Sequence, residues 1–91
     1  MKNNYEIQIK IIYFLREKKY IGKRHAPVGY VCKMLSKYPC KQIRKELKNL
    51  KKRGILQYKK TFHGNDVYLN IKMIKEIEEI VKIEKEKNKK Y

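Results

Sequence analysis

The lysines of residues 40–53 have the clearest chemistry in this sequence. At about 100° per residue in a helix, the apolar residues of this segment fall in one narrow sector, opposite a ridge of lysines. Four side chains form this ridge: Lys41, Lys45, Lys48 and Lys52. Only Glu46 lies nearby to relieve the repulsion among lysines four positions apart. Because phosphate would remove that repulsion, the ridge predicts contacts with a phosphate backbone, whereas a solvated lysine-rich surface is the alternative.

Three side chains at the edges of the ridge are candidates for reading bases. Arg44 lies on one edge, and Gln42 and Asn49 lie on the other. A guanidinium can donate two hydrogen bonds to guanine, and a side-chain amide can pair with adenine. Because lysines position a protein on the backbone without specifying sequence, any sequence preference depends on these three residues.

A second basic group lies beside a run of turn-forming residues. Lys59, Lys60 and His63 flank Gly64, whose small size would let a turn approach a sugar-phosphate strand closely. We therefore expect these side chains to contact the nucleic-acid backbone. An ordinary exposed hairpin is the alternative.

Three further residues are candidates for phosphate contacts. Lys23 and Arg24 lie in a linker just before a predicted helix, although short linkers are often basic by chance. The hydroxyl of Tyr38, in a predicted turn, could donate to phosphate. Packing of the Tyr38 ring against the flanking helices is the alternative.

The charge of the chain favours a polyanionic partner. Its 91 residues include 25 Lys and Arg against 9 Asp and Glu, a formal charge of +16. Residues 21–69 hold 13 of the basic and 2 of the acidic residues, so this middle segment is the predicted binding region. Nucleic acid is the usual partner, because cations displace its condensed counterions, and an anionic membrane surface is the competing one. No Gly-rich phosphate loop or Ser-His-Asp set is visible, so we expect no enzymatic activity and no cofactor.

The two cysteines, Cys32 and Cys40, have three interpretations. In an intracellular protein they default to reduced thiols, and both lie on predicted apolar helix faces as small buried hydrophobes. A disulfide across the intervening turn is the second interpretation, and it gains weight if the source is a hyperthermophile. A metal site that adds His25 and His63 is the third, although the sequence has no CxxC or HxxxH spacing.

Apolar periodicity and turn-forming residues predict four helices and three strands. The helices are expected at residues 5–19, 28–36, 40–53 and 71–86, the strands at 24–26, 55–60 and 67–69, a hairpin turn at 63–66, and a frayed tail at 85–91.

This order of elements resembles the winged helix-turn-helix domain. The pattern Ile43-x-x-x-Leu47-x-x-Leu50-x-x-x-Gly54-Ile55-Leu56 resembles the recognition helix and first wing strand of small archaeal and bacterial transcription regulators. The resemblance implies an α+β, mainly α fold, with a three-helix core and a β-hairpin wing in residues 1–70 and a C-terminal helix in 71–91. It also implies that the helix at 40–53 enters the major groove of duplex DNA. The wing at 59–66 would then lie on the backbone or in the minor groove.

Together these features predict a duplex DNA-binding protein that regulates transcription. The alternatives are an architectural, chromatin-like protein without sequence preference, and a winged helix that binds RNA or protein. The apolar stripe of the C-terminal helix is wider than a contact with the first helix needs, which predicts a homodimer paired through this helix. Packing within one chain is the alternative. No small-molecule effector can be identified.

The cellular location is predicted from the absence of targeting patterns. No secretory signal is visible, and no apolar run is long enough to span a bilayer. We therefore expect a cytoplasmic, nucleoid-associated protein.

Overall fold

The chain folds into helices and a small antiparallel sheet. The structure, a computed structural model, describes residues 4–87. In that range the elements are, in chain order, α1 (Asn4–Glu17), β1 (Ala26–Pro27), α2 (Val28–Met34), α3 (Cys40–Lys52), β2 (Leu56–Thr61), β3 (Gly64–Leu69), a 3-10 turn (Ile71–Met73) and α4 (Ile74–Lys87). The predicted α+β class with mainly helical content is confirmed.

Helix α1 forms because its apolar residues recur at helical spacing and pack on one side. Ile7, Ile11 and Leu15 are fully buried in a core that also takes side chains from the other helices and from the sheet. The helix ends two residues before the predicted end at Lys19. Lys19 adopts a left-handed φ of 64°, and the Tyr20 amide donates to the Leu15 carbonyl at 2.8 Å, which ends the helical hydrogen-bond pattern.

Helices α2 and α3 each begin directly after a proline. Pro27 precedes α2 and Pro39 precedes α3, both with extended backbone dihedrals that suit a helix start. Helix α2 ends at Met34, two residues before its predicted end. Helix α3 ends within one residue of its prediction, and Gly54 follows it with a φ of 80°, which favours glycine.

Cys32 and Cys40 form a disulfide that joins α2 to the first residue of α3. The prediction of two separate reduced thiols is therefore wrong, and the alternative disulfide is observed. The turn between the helices folds back and brings the two Cα atoms to 5.1 Å, within bridging distance. In the described part of the chain no three His, Cys, Asp or Glu side chains converge on a metal-sized site. His25 instead pairs with Asp66 on β3, with 2.6 Å between Nδ1 and Oδ2.

The sheet has the order β1-β3-β2 and is antiparallel throughout. Strand β1 was predicted at 24–26 and lies at Ala26–Pro27, so it begins two residues later and ends one residue later than predicted. The hairpin turn was predicted at 63–66, but Thr61 pairs with Gly64, so the turn consists of Phe62 and His63 alone. The Thr61 hydroxyl accepts from the His63 amide and donates to the Gly64 carbonyl, which closes the turn before the glycine.

Helix α4 packs against α1 in the same chain. Ile77 and Val81 are buried in the common core. Three ion pairs join the two helices: Lys10 with Glu84, Arg16 with Glu78, and Lys85 with Glu17. Residues 85–87 of the predicted frayed tail are helical, and residues 88–91 lie outside the described part of the chain. Among residues 4–87, no helix combines the length and apolar character needed to cross a bilayer.

Candidate functional site

One side of α3 is strongly cationic and exposed. Its apolar residues Ile43, Leu47 and Leu50 are fully buried, which fixes the rotation of the helix and turns its lysines outward. A shallow groove of about 510 Å³ runs along the outer side and is lined by Cys40, Lys41, Arg44, Lys45 and Lys48. We call Lys41, Arg44, Lys45 and Lys48 the α3 basic face. The predicted ridge residue Lys52, at the end of α3, is also exposed.

A cleft of about 520 Å³ separates the α3 basic face from the hairpin. Arg44 and Lys48 line it from the helix, and His63 and Asn65 line it from the hairpin. The structure therefore brings together three of the predicted site residues, because His63 lies beside Arg44 and Lys48, which precede it by 19 and 15 positions. Asp66 also lines the cleft, but its carboxylate pairs with His25.

The hairpin lysines lie on opposite faces of the sheet. Successive side chains of a strand alternate between faces, so Lys60 shares the face of Tyr58 and Lys59 has the other. Tyr58 lines the cleft, and burial raises its pKa above the ordinary value. Both lysines are exposed, and Lys60 is the one on the cleft side.

Two of the three predicted base readers are turned towards the protein. Asn49 donates its side-chain amide to Glu46 at 3.1 Å, and Glu46 also accepts from Gln8 of α1 at 2.8 Å. The side-chain oxygen of Gln42 is buried and has no hydrogen-bond partner in the protein. All three predicted base readers lie within the described residues, but only Arg44 lines the groove.

Tyr38 has a structural partner. Its hydroxyl donates to the Glu6 carboxylate of α1 at 2.8 Å, and the ammonium group of Lys37 lies 5.8 Å from its ring centre. Burial, together with the bond to Glu6, raises the pKa of Tyr38 to about 12. This position agrees with the alternative interpretation, in which Tyr38 packs against the protein.

Lys23 and Arg24 lie exposed just before β1. The guanidinium of Arg24 stacks over the Tyr20 ring at 5.2 Å, a cation–π contact that holds the side chain against the protein surface. Neither residue lines the cleft or the groove. They stay predicted phosphate contacts at the margin of the site.

Sequence patterns missed several residues of this surface. Tyr58 and Asn65 line the cleft, and Phe62 projects from the hairpin tip with its side chain entirely exposed. The two-residue turn places Phe62 there, and the sequence held no pattern that fixed this turn. The pairing of His25 with Asp66 joins residues 41 positions apart, which no local pattern indicates.

Comparison with protein-family models, with curated proteins and with solved structures found no match to this chain.

Proposed function

We propose that this chain is a winged helix-turn-helix protein that binds duplex DNA, with α3 in the major groove and the hairpin as the wing. The observation that carries the proposal is the exposed α3 basic face, two of whose residues, Arg44 and Lys48, line a cleft shared with the hairpin. An α-helix fits the width of the major groove, and a hairpin beside it can then reach the flanking backbone. Nucleoid association in the cytoplasm is part of this proposal.

The residues of the surface have different roles in the proposed complex. Lys41, Lys45 and Lys48 neutralise phosphates on the walls of the groove. Arg44 lies among them and is the residue placed to reach a guanine edge. His63 and Lys60 approach the backbone from the hairpin side of the cleft.

The test is a fluorescence-anisotropy titration of a labelled duplex at low salt. The double variant K45E/K48E reverses two charges on the α3 basic face, and K75E/K82E makes the same charge change at exposed positions of α4. We expect the first variant to lose about 100-fold or more in affinity, because it removes two phosphate contacts. The second should lose far less, because salt screens the attraction between phosphates and distant charges. Absence of binding by the unmodified chain, or equal losses in the two variants, would contradict the proposal.

A specific observation favours a second candidate, an architectural protein without sequence preference. Gln42 and Asn49 are turned inward, which leaves Arg44 as the base reader on the exposed side of α3. Transcription regulation requires a specific site, so competition between random and selected duplexes separates the two roles. A regulator prefers its site by about a thousandfold or more, whereas an architectural protein shows little preference.

We also propose a homodimer paired through α4. The face of α4 that carries Ile77 and Val81 is occupied by α1, so the dimer contact has to use Ile83, which is 54% exposed, and the half-buried Ile80. Sedimentation equilibrium tests this arrangement. We expect a mass of two 11.1 kDa chains, reduced to one chain by I83E and unchanged by M34E, which alters an exposed side chain on α2. A monomeric unmodified chain would contradict it.

A further inference from the structure

Phe62 is the most exposed large apolar side chain among the described residues. Its relative exposure is 104%, against 62% or less for the other exposed large hydrophobic side chains. Burying a phenyl ring that is entirely exposed to water lowers the free energy of the system. The position therefore favours a partner that can accept a ring.

The hairpin holds this ring at a fixed place. Strands β2 and β3 pair over all six of their residues, and Phe62 is the first of the two residues that join them. The Thr61 hydroxyl bonds across the turn, accepting from the His63 amide and donating to the Gly64 carbonyl. In this short turn the ring projects from the tip and is not packed against the sheet.

The surroundings of Phe62 are cationic. Lys60 precedes it by two residues, and His63 follows it and lines the cleft shared with Arg44 and Lys48. An apolar ring beside Lys60, Arg44 and Lys48 complements a partner whose surface is anionic and whose interior is flat and apolar. Duplex DNA has this arrangement, because phosphates line its grooves and stacked bases lie between them.

We propose that Phe62 inserts as a wedge between adjacent base pairs from the minor groove and bends the duplex. The inference rests on the proposed function, because α3 in the major groove brings the hairpin tip to the neighbouring minor groove. Apolar wedges partly unstack one base step and kink the duplex towards the major groove. Flexible pyrimidine–purine steps unstack most readily, so a TA or CA step at a fixed distance from the α3 contact is the preferred site. The wedge thus supplies a sequence preference that does not depend on base-edge hydrogen bonds.

The test combines affinity and bending on the same duplexes. Anisotropy gives the affinity, and energy transfer between dyes at the two ends gives the bend, for one duplex with a central TA step and one with a stiff A-tract. The variants are F62A, F62L and, as a control for loss of another exposed apolar side chain, I71A. Circular dichroism verifies that each variant is folded.

We expect the unmodified chain to bend the TA duplex and to prefer it to the A-tract duplex. F62A should still bind, with about a tenfold loss of affinity. The loss is modest because the favourable burial of the ring is partly offset by the free-energy cost of unstacking the base step. It should lose the bend and the preference, whereas F62L and I71A should keep both. Binding without bending by the unmodified chain, or an unchanged bend with F62A, overturns the wedge but leaves the proposed function intact.

Two other outcomes concern the partner itself. If the unmodified chain does not bind either duplex, the proposed function and the wedge both fail. Vesicles of equal parts phosphatidylglycerol and phosphatidylcholine test the lipid alternative. Binding to vesicles that depends on Phe62, without Phe62-dependent bending of DNA, overturns the wedge in favour of membrane insertion.

Discussion

Glu46 is a carboxylate on the inner side of a helix whose outer side is cationic. It is 1% exposed and accepts hydrogen bonds from Gln8 of α1 and from Asn49. Arg53, just beyond α3, donates in turn to the Gln8 side-chain oxygen. This chain of polar contacts fixes α3 against α1, so it sets the direction in which the lysines of α3 point.

We predict that Glu46→Ala destabilises the fold by about 2 kcal/mol, because it leaves the Gln8 donor buried without an acceptor. Urea denaturation of the two proteins measures the difference. Glu79→Ala, at an exposed position of α4, is the matched control and should change the unfolding free energy by less than about 0.5 kcal/mol. Equal stability of Glu46→Ala and the unmodified chain would show that the buried contacts contribute nothing net.

Tyr38 makes stability depend on pH in the alkaline range. In the unfolded chain its phenol ionises near the ordinary pKa of 10.0, whereas in the folded chain burial and the bond to Glu6 raise its pKa to about 12. The stabilisation is therefore complete below pH 10 and is lost as the pH rises from 10 to 12, because the unfolded chain then releases a proton that the folded chain retains.

Tyr38→Phe removes both the hydrogen bond and this ionisation. We expect it to lower the unfolding free energy by about 1 kcal/mol at pH 7. The difference between the two proteins should decrease between pH 10 and 12. The difference between the two proteins is measured, because contributions that they share then cancel. A difference that stays constant across that range would contradict the assigned role.

At the residue scale, the sequence predicted which side of α3 is buried and which is exposed. It did not predict the direction of the side-chain amides at the edge between the two sides. Helical spacing correctly separated the buried Ile43 from the exposed Lys45 and Arg44. Gln42 and Asn49 lie at the edge between the two sectors, where a flexible amide can turn either way. Asn49 bonds to Glu46, three positions earlier, and Glu46 is itself held by Gln8, 38 positions away, a contact that no local pattern reveals.

At the element scale, the disulfide links α2 to the start of the helix that carries the basic face. Cys32 and Cys40 are 8 positions apart, so the bond closes a short loop that contains the whole turn. Cys40 also lines the groove between the lysines. A covalent link at this point restricts movement of the first turn of α3 relative to α2.

We predict that reducing this bond lowers the unfolding free energy by about 2.5 kcal/mol, the value expected for closing a loop of this size. Thermal unfolding with and without dithiothreitol measures the effect, which corresponds to about 10–20 °C. The variant C32A/C40A should unfold at a lower temperature than the oxidised chain and should not respond to dithiothreitol. Labelling by iodoacetamide before reduction, or an unchanged midpoint after it, would contradict the prediction.

The order of elements followed from the sequence, whereas the hairpin turn did not. The apolar spacing and the prolines gave α3 within one residue, because each end has a local cause in Pro39 and Gly54. The turn was predicted at 63–66, since Gly64 and Asn65 are typical turn formers, but it consists of Phe62 and His63. Cross-strand pairing and the Thr61 hydroxyl decide the register here, and both depend on contacts with the partner strand.

At the scale of the whole molecule, the basic side chains of the middle segment far outnumber its acids. Residues 21–69 hold two carboxylates, Glu46 and Asp66. Glu46 is buried in contact with α1, and Asp66 pairs with His25. Glu78 and Glu84 of α4 instead pair with Arg16 and Lys10 of α1. The fold thus keeps these acidic side chains separate from the α3 basic face, a separation that the linear charge count only partly indicates.

This separation predicts a steep dependence of DNA affinity on salt. If about six side chains contact phosphates, the logarithm of the association constant falls with the logarithm of salt concentration at a slope of about −5. K45E/K48E removes two of those contacts and should make the slope shallower by about 2, whereas K75E/K82E on α4 should leave it unchanged. Anisotropy titrations from about 50 to 300 mM KCl give all three slopes. If the two double variants changed the slope equally, net charge rather than the α3 basic face would govern binding, and the proposed placement of α3 on the duplex would be wrong.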